Sequence, residues 1–107
     1  MQVGLAANLI LVFVQTFQNI LISKPNDIWC AKAKELLREQ KFHFKEFIVS
    51  EGQIYTGLDT KYLYIKDIQN HYKYYTFPMI FLNKKFIKGY THLKKMIETK
   101  EIKKFNK

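Results

Sequence analysis

The sequence of 107 residues predicts a single α/β domain built on a mixed sheet. Short apolar runs alternate with segments of helical periodicity, in the order helix, strand, helix, strand, helix, strand, strand, helix. A strand–helix–strand unit implies a right-handed crossover between two parallel strands, and the closing hairpin adds an antiparallel edge. Hydrophobic residues make up 48% of the chain, so it can fill one core, and its length is too short for two domains.

The first half of the chain predicts two helices and two strands. Apolar side chains recur at helical spacing at Leu5, Leu9, Val12, Phe13 and Phe17. Residues 19–23 are typical of a short buried strand, Asp27 is a good N-cap for a helix over residues 28–40, and residues 42–48 predict a second strand. The uncharged residues 3–22 are long enough to cross a bilayer, but polar side chains interrupt them and nothing basic precedes them. We therefore expect no membrane insertion.

The second half predicts a helix, a hairpin and a final helix. Residues 50–57 contain two glycines and predict a loop, and the spacing of apolar residues predicts a helix over 59–73. Residues 78–82 and 86–88 predict the two strands of a hairpin. Gly89 ends the second strand, and Thr91 is expected to cap the last helix, which leads into a basic tail at about 98–107.

The net charge of +9 arises in residues 61–107, where twelve lysines face Asp67, Glu98 and Glu101. Such an excess attracts anionic partners such as RNA or a ribonucleoprotein. Seventeen of the 18 basic residues are lysine, however, and arginine is the residue that reads phosphates with a planar fork. We interpret the excess mainly as a solvated basic face, and an anionic partner stays an alternative.

The cysteine count restricts the chemistry. One cysteine, Cys30, excludes an internal disulfide, a four-thiolate zinc site and a dithiol reaction within the chain. It also favours a reducing, cytoplasmic environment. His43, His71 and His92 are not spaced as a metal-binding set, so we expect no metal.

Four segments carry the most specific pattern in the chain. They are residues 13–15 with 20–24, Cys30-Ala31-Lys32-Ala33-Lys34-Glu35-Leu36-Leu37, Thr76-Phe77-Pro78-Met79-Ile80-Phe81-Leu82-Asn83, and Ile87-Lys88-Gly89-Tyr90-Thr91-His92-Leu93. In this order and spacing they resemble the glutaredoxin family, a branch of the thioredoxin fold, over about residues 10–98. The resemblance implies a four-stranded mixed sheet with helices on both faces, and thiol–disulfide chemistry with glutathione.

The resemblance breaks at the active-site motif. A glutaredoxin has Cys-Pro-Tyr-Cys there, with the first cysteine as nucleophile, and this chain has Asp27-Ile28-Trp29-Cys30. Asp27 thus stands at the exposed tip of the helix in place of the nucleophile, and a carboxylate cannot attack a disulfide. Cys30 matches the second cysteine, one helical turn further in, where burial raises a thiol pKa. Iron–sulfur relatives use the first position, so no cluster is expected here.

The glutathione groove of the family maps onto six positions, which are Lys24, Trp29, Phe77, Pro78, Gly89 and Thr91. The resemblance implies that Lys24 contacts the glycyl carboxylate and that Phe77 pairs its backbone with the tripeptide beside a cis Pro78. Trp29 replaces a tyrosine. Two changes alter the γ-glutamyl end, because His92 replaces an aspartate that holds the ammonium group and Lys88 replaces a glycine.

Three functions follow from these residues. The first is a glutaredoxin-like protein that has lost its nucleophile and keeps part of a groove for glutathione or a protein thiol. The second is a glutathione-dependent oxidoreductase that uses Cys30 as its working thiol. The third is a basic module that binds an RNA or ribonucleoprotein assembly through the lysine-rich C-terminal half.

Overall fold

The computed structural model describes residues 2–58 and 61–105, which form four helices, six strands and a short 3₁₀ segment. In chain order these are α1 Gln2–Thr16, β1 Asn19–Ser23, α2 Ile28–Glu39, β2 Lys45–Ile48, β3 Gln53–Tyr55, β4 Tyr62–Tyr64, α3 Ile65–Tyr72, β5 Met79–Leu82, β6 Lys85–Lys88, α4 Tyr90–Glu98 and the 3₁₀ segment Glu101–Lys104.

The main sheet has four strands in the order β2-β1-β5-β6. β1 pairs with β2 in parallel, and the pairs β1–β5 and β5–β6 are antiparallel. The β5–β6 turn is Asn83-Lys84, both with positive φ, as a two-residue hairpin turn requires. The prediction of a mixed α/β sheet with one parallel crossover and a closing antiparallel hairpin is therefore confirmed.

The sheet separates two hydrophobic layers. Every residue of β1 and β5 is buried, and successive side chains point to opposite faces. One face packs against α1 and α3 through Ile20, Ile22, Phe13, Ile68, Met79 and Phe81. The other face packs against α2 and α4 through Leu21, Leu37, Ile80, Leu82, Leu93 and Met96. This arrangement fixes the starts of α2 and α4 beside the start of β5.

The prediction of a helix over residues 59–73 is wrong in its first part. Positions 59 and 60 lie outside the described residues, Tyr62–Tyr64 form β4, and α3 begins only at Ile65. β4 pairs with β3 in an antiparallel hairpin, where Ile54 and Leu63 face the core and the tyrosines face outward. Alternation of buried and exposed residues, rather than helical spacing, governs this segment.

Other boundaries also differ from the sequence predictions. The second strand starts at Lys45, not at residue 42, and Thr91 is the second residue of α4, whose N-cap is Gly89. The basic C-terminal segment is not wholly solvated, because Ile102 is buried beneath α4. The last two positions of that predicted tail lie outside the described residues. Within the described ranges, no helix combines the length and apolar character needed to cross a membrane.

Candidate active-site groove

Asp27 caps the start of α2. Its Oδ1 accepts hydrogen bonds from the backbone N–H groups of Trp29 at 2.8 Å and Cys30 at 3.3 Å, and Oδ2 lies 3.6 Å from the Nζ of Lys24. The predicted N-cap is confirmed, and the carboxylate also pairs with Lys24. The expectation that the acid is exposed is wrong, since its side chain is turned inward and keeps only 10% of its accessible surface. Both carboxylate oxygens are therefore engaged by the chain itself.

Cys30 is the third residue of α2 and is only 3% exposed. It lines a cleft of about 410 Å³ together with Ser23, Glu46 and Ile48. Because β1 lies between β2 and β5 in the sheet, the part of the cleft that Glu46 and Ile48 line is on the opposite side of β1 from Pro78. The thiol thus lies a full turn inside the helix, in a cleft that Lys24 and Asp27 also line.

The surroundings of Cys30 keep the thiol protonated. Burial raises the pKa of Cys30, and the negative charge of Asp27 raises it further. The pKa is lowered by contacts with the backbone of Lys24 and the hydroxyl of Ser23, and by the charge of Lys24, but these effects do not reverse the shift. The Ser23 hydroxyl is itself buried, and no hydrogen bond of good geometry reaches it within the described part of the chain. A nucleophilic thiolate is therefore disfavoured at this position.

Five of the six predicted groove residues, all except Thr91, are brought together in a closed series of contacts, called here the groove ring. Lys24 Nζ lies 6.0 Å from the Phe77 ring centroid, and Phe77 is bonded to Pro78. A Cβ placed on Gly89 would lie 3.0 Å from the Pro78 carbonyl oxygen. The ring of contacts continues through Tyr90 and Trp29, whose side-chain rings are 5.4 Å apart. It closes through the hydrogen bond from Trp29 to Asp27 and the ion pair with Lys24.

The Phe77–Pro78 peptide bond is cis, as the resemblance implies. The segment before β5 makes no sheet contact, and among the described residues no hydrogen-bond partner is found for the backbone N–H or C=O of Phe77. An exposed main-chain donor and acceptor pair can accept an extended ligand as an additional strand. The geometry at Phe77 is therefore suited to binding a peptide backbone.

Because Gly89 has no side chain, Tyr74 and the Pro78 carbonyl can lie close to its backbone. A Cβ there would clash with the hydroxyl of Tyr74 and would press on the Pro78 carbonyl. Lys88, the residue before it, has φ of +76°, in the left-handed region that favours glycine. Gly89 has no side chain to cap α4, so the partial positive charge of that helix start is also not compensated by a capping side chain.

Two residues at this site were not predicted from the sequence: Tyr90, a member of the groove ring, and Lys32, which flanks it. Tyr90 is the first residue of α4 and stacks obliquely beside Trp29, and the Nζ of Lys32 lies 4.9 Å from the centroid of the Trp29 ring. Tyr90 directly follows Gly89, and Lys32 lies two residues after Cys30, in the segments that resemble the family. These positions could have identified both residues from the sequence. The predicted Thr91 is exposed and follows Tyr90 without a contact that joins it to the ring.

The other titratable candidates lie apart from the groove ring. His43 and His71 are exposed, and His92 is half-buried in the first turn of α4. Within the described residues, no group of three histidine, cysteine, aspartate or glutamate side chains is placed to hold a metal ion. Tyr72 and Tyr74 pack against Phe86, whereas Tyr75 is 59% exposed.

Solved structures share this architecture. A buckwheat glutaredoxin in complex with glutathione aligns with a TM-score of 0.74 and 16% identity, over 98% of this chain and 90% of that one. Glutaredoxin C1 from Populus tremula x tremuloides, in its holo form, gives 0.72 and 16% over 96% and 87% of the two chains. A dithiolic glutaredoxin from Trypanosoma brucei brucei gives 0.69 and 18% over 92% and 95%. At such identities these similarities establish the fold.

The sequence itself gives the family. No curated protein sequence matches the chain significantly. The family model for glutaredoxin, however, matches residues 20–87, which is more than half of the chain and includes the cap, the thiol and the cis-proline segment. This protein therefore belongs to the glutaredoxin family.

Proposed function

We propose that this protein binds glutathione or a protein thiol in the groove ring and does not carry out the thiol–disulfide exchange of the family. The proposal rests on a single observation, which is that the residue at the start of α2 is an aspartate and not a cysteine. Asp27 occupies the position of the attacking thiol and caps the helix, while Cys30 is 3% exposed one turn further in.

The chemistry of exchange explains why the substitution matters. In glutaredoxin-type reduction, a thiolate attacks a sulfur of a glutathione mixed disulfide, a new S–S bond forms and the substrate leaves as a thiolate. The carboxylate of Asp27 has no sulfur to offer, and its oxygens already bind Trp29, Cys30 and Lys24. The thiol of Cys30 has a raised pKa and faces the cleft beside β2.

The groove supports ligand binding independently of the lost thiol. Phe77 offers a free main-chain donor and acceptor, and Lys24 beside it offers a cation for a carboxylate. Trp29 is 50% exposed and gives the ligand an apolar surface. The buckwheat glutaredoxin, which shares the fold, was solved with glutathione bound. A glutaredoxin-like binding protein is the function that agrees with both the groove and the missing nucleophile.

A turnover assay with a matched variant tests this proposal. The reduction of a glutathione mixed disulfide, coupled to glutathione reductase, is measured for the wild-type protein and for Cys30→Ser. We expect both proteins to give the rate of the uncatalysed reaction with glutathione alone. Turnover by the wild type that is lost in Cys30→Ser would contradict the proposal and assign the reaction to Cys30.

Binding is measured separately, so that inactivity is not confused with an empty groove. Trp29 is the single tryptophan of the chain, so its fluorescence reports directly on the groove ring. We expect glutathione to change the emission of the wild type, and the change to weaken in Lys24→Gln. A folded protein whose emission does not respond to glutathione or to a thiol peptide would contradict the binding half of the proposal.

A further inference from the structure

We propose that the groove ring selects an extended, acidic segment of a partner protein. This inference rests on the proposed function, because it specifies the ligand of the same groove. It follows from the charged side chains near Phe77 and Pro78, and from the fact that the carboxylate of Asp27 is already bonded within the chain.

Counted together with Lys32 and Lys88, the two lysines that flank it, the groove ring carries more cations than anions. Lys24 and Lys32 lie over the aromatic rings of Phe77 and Trp29, and Lys88 is exposed at the end of β6, next to Gly89. Asp27 is the only acid in the series. Across the described part of the chain the ion pairs are Lys24–Asp27 and Lys34–Glu46, so neither Lys32 nor Lys88 has a carboxylate within 4.0 Å there.

The same arrangement disfavours a ligand that places an ammonium group beside Lys32 or Lys88. A buried or half-buried ammonium needs a carboxylate or several carbonyl acceptors. The oxygens of Asp27 already accept two backbone N–H groups and pair with Lys24. A ligand that places carboxylates near Lys32 and Lys88 gains attraction, whereas a ligand that places an ammonium there is repelled.

The free main chain at Phe77 favours a protein over a nucleic acid. An added strand exchanges N–H and C=O hydrogen bonds with Phe77, and a polynucleotide has no such repeating pair. Alternate side chains of an extended peptide point to the same side, about 7 Å apart. Acidic residues at alternate positions can therefore lie beside Lys32 and Lys88 while the peptide backbone contacts Phe77.

The experiment uses two cysteine-free peptides, so that binding is measured without any thiol reaction. The acidic probe is acetyl-Val-Glu-Val-Glu-Val-amide, and its neutral counterpart has glutamine in place of both glutamates. Titration against Trp29 fluorescence at low ionic strength should show tighter binding of the acidic peptide by about tenfold, and the difference should shrink at high salt. Equal affinities for the two peptides would overturn the inference.

Matched variants separate the groove from the general basic surface. Lys88→Gln removes a charge that flanks the ring, and Lys94→Gln removes one from an exposed position on α4. We expect Lys88→Gln to weaken the acidic peptide about two- to fivefold and Lys94→Gln to leave its affinity unchanged. Equal losses in the two variants, or tighter binding of oligouridylate RNA with the same dependence on Lys88, would overturn the inference.

A glutathione titration in the same assay distinguishes the two proposals. If glutathione changes the emission of Trp29 while neither peptide does, the proposed function stands and the inference of an acidic partner is wrong. If the neutral peptide binds as well as the acidic one, the groove is confirmed and its charge selection is rejected. If no ligand produces a response, both proposals fail.

Discussion

Replacement of Asp27 by alanine tests the structural role of this carboxylate quantitatively. The substitution removes two hydrogen bonds to backbone N–H groups, at 2.8 and 3.3 Å, from a helix whose first turn contains no other acidic residue. Loss of an N-cap costs ~1 kcal/mol, and loss of a negative charge at a helix start adds ~0.5 kcal/mol. The pair with the half-exposed Lys24 contributes little more. We therefore expect Asp27→Ala to lower the free energy of unfolding by about 1.5 kcal/mol.

Asp27→Asn is the matched variant, because asparagine retains the capping oxygen and loses the charge. For a chain of this length, ~1 kcal/mol corresponds to about 4–5 °C in Tm, so we expect losses of about 7 °C for Asp27→Ala and about 2 °C for Asp27→Asn. Thermal unfolding followed by circular dichroism measures both shifts in Tm, and urea unfolding measures the corresponding free energies. Asp67→Ala, an exposed acid in the first turn of α3, controls for charge alone. Equal destabilisation by alanine and asparagine at position 27 would refute the capping argument.

Three further predictions follow from the groove and the thiol. Gly89→Ala forces a methyl group against the hydroxyl of Tyr74, so we expect a loss of about 1–3 kcal/mol in urea unfolding, and an unchanged midpoint would contradict this contact. Lys88→Gly relieves the strain of a lysine in the left-handed backbone region and should stabilise the protein by ~0.5–1 kcal/mol. Lys85→Gly, in a regular strand, should destabilise it. A change of the same sign in both variants would refute the argument that Lys88 is strained. Burial raises the pKa of Cys30, so iodoacetamide alkylation should be slow at neutral pH and should accelerate only at a higher pH than for an unburied cysteine; a midpoint at or below that of an unburied cysteine would show an activated thiolate.

The sequence predicts those parts of the fold where local pattern and tertiary packing agree. β1 and β5 are continuous apolar runs, and both are buried at the centre of the sheet. Segment 62–64 was harder to predict, because Tyr62 and Ile65 continue a helical spacing although residues 62–64 form a strand. The hairpin of β3 and β4 forms because Ile54 and Leu63 are buried together against the core, and this tertiary packing is not visible in the local spacing of residues.

The candidate site was predictable where a family motif fixes the positions of residues. Asp27 as the cap, the buried Cys30 and the cis bond before Pro78 follow from the aligned segments and appear in the structure. Side-chain contacts between elements were not predictable in this way. The inward turn of the Asp27 carboxylate and the contact of Tyr90 with Trp29 depend on how α2 and α4 meet, which a single sequence does not specify.

The central claim is that a groove of the glutaredoxin family is retained here without its attacking thiol. The most direct measurement is the turnover of a glutathione mixed disulfide by the double variant Asp27→Cys with Cys30→Ser, compared with Cys30→Ser alone. A thiol at the helix start is favoured as a thiolate by the helix dipole and by Lys24. The account predicts turnover by the double variant and none by the single one. A folded double variant that stays inactive, or an active Cys30→Ser protein, would contradict it.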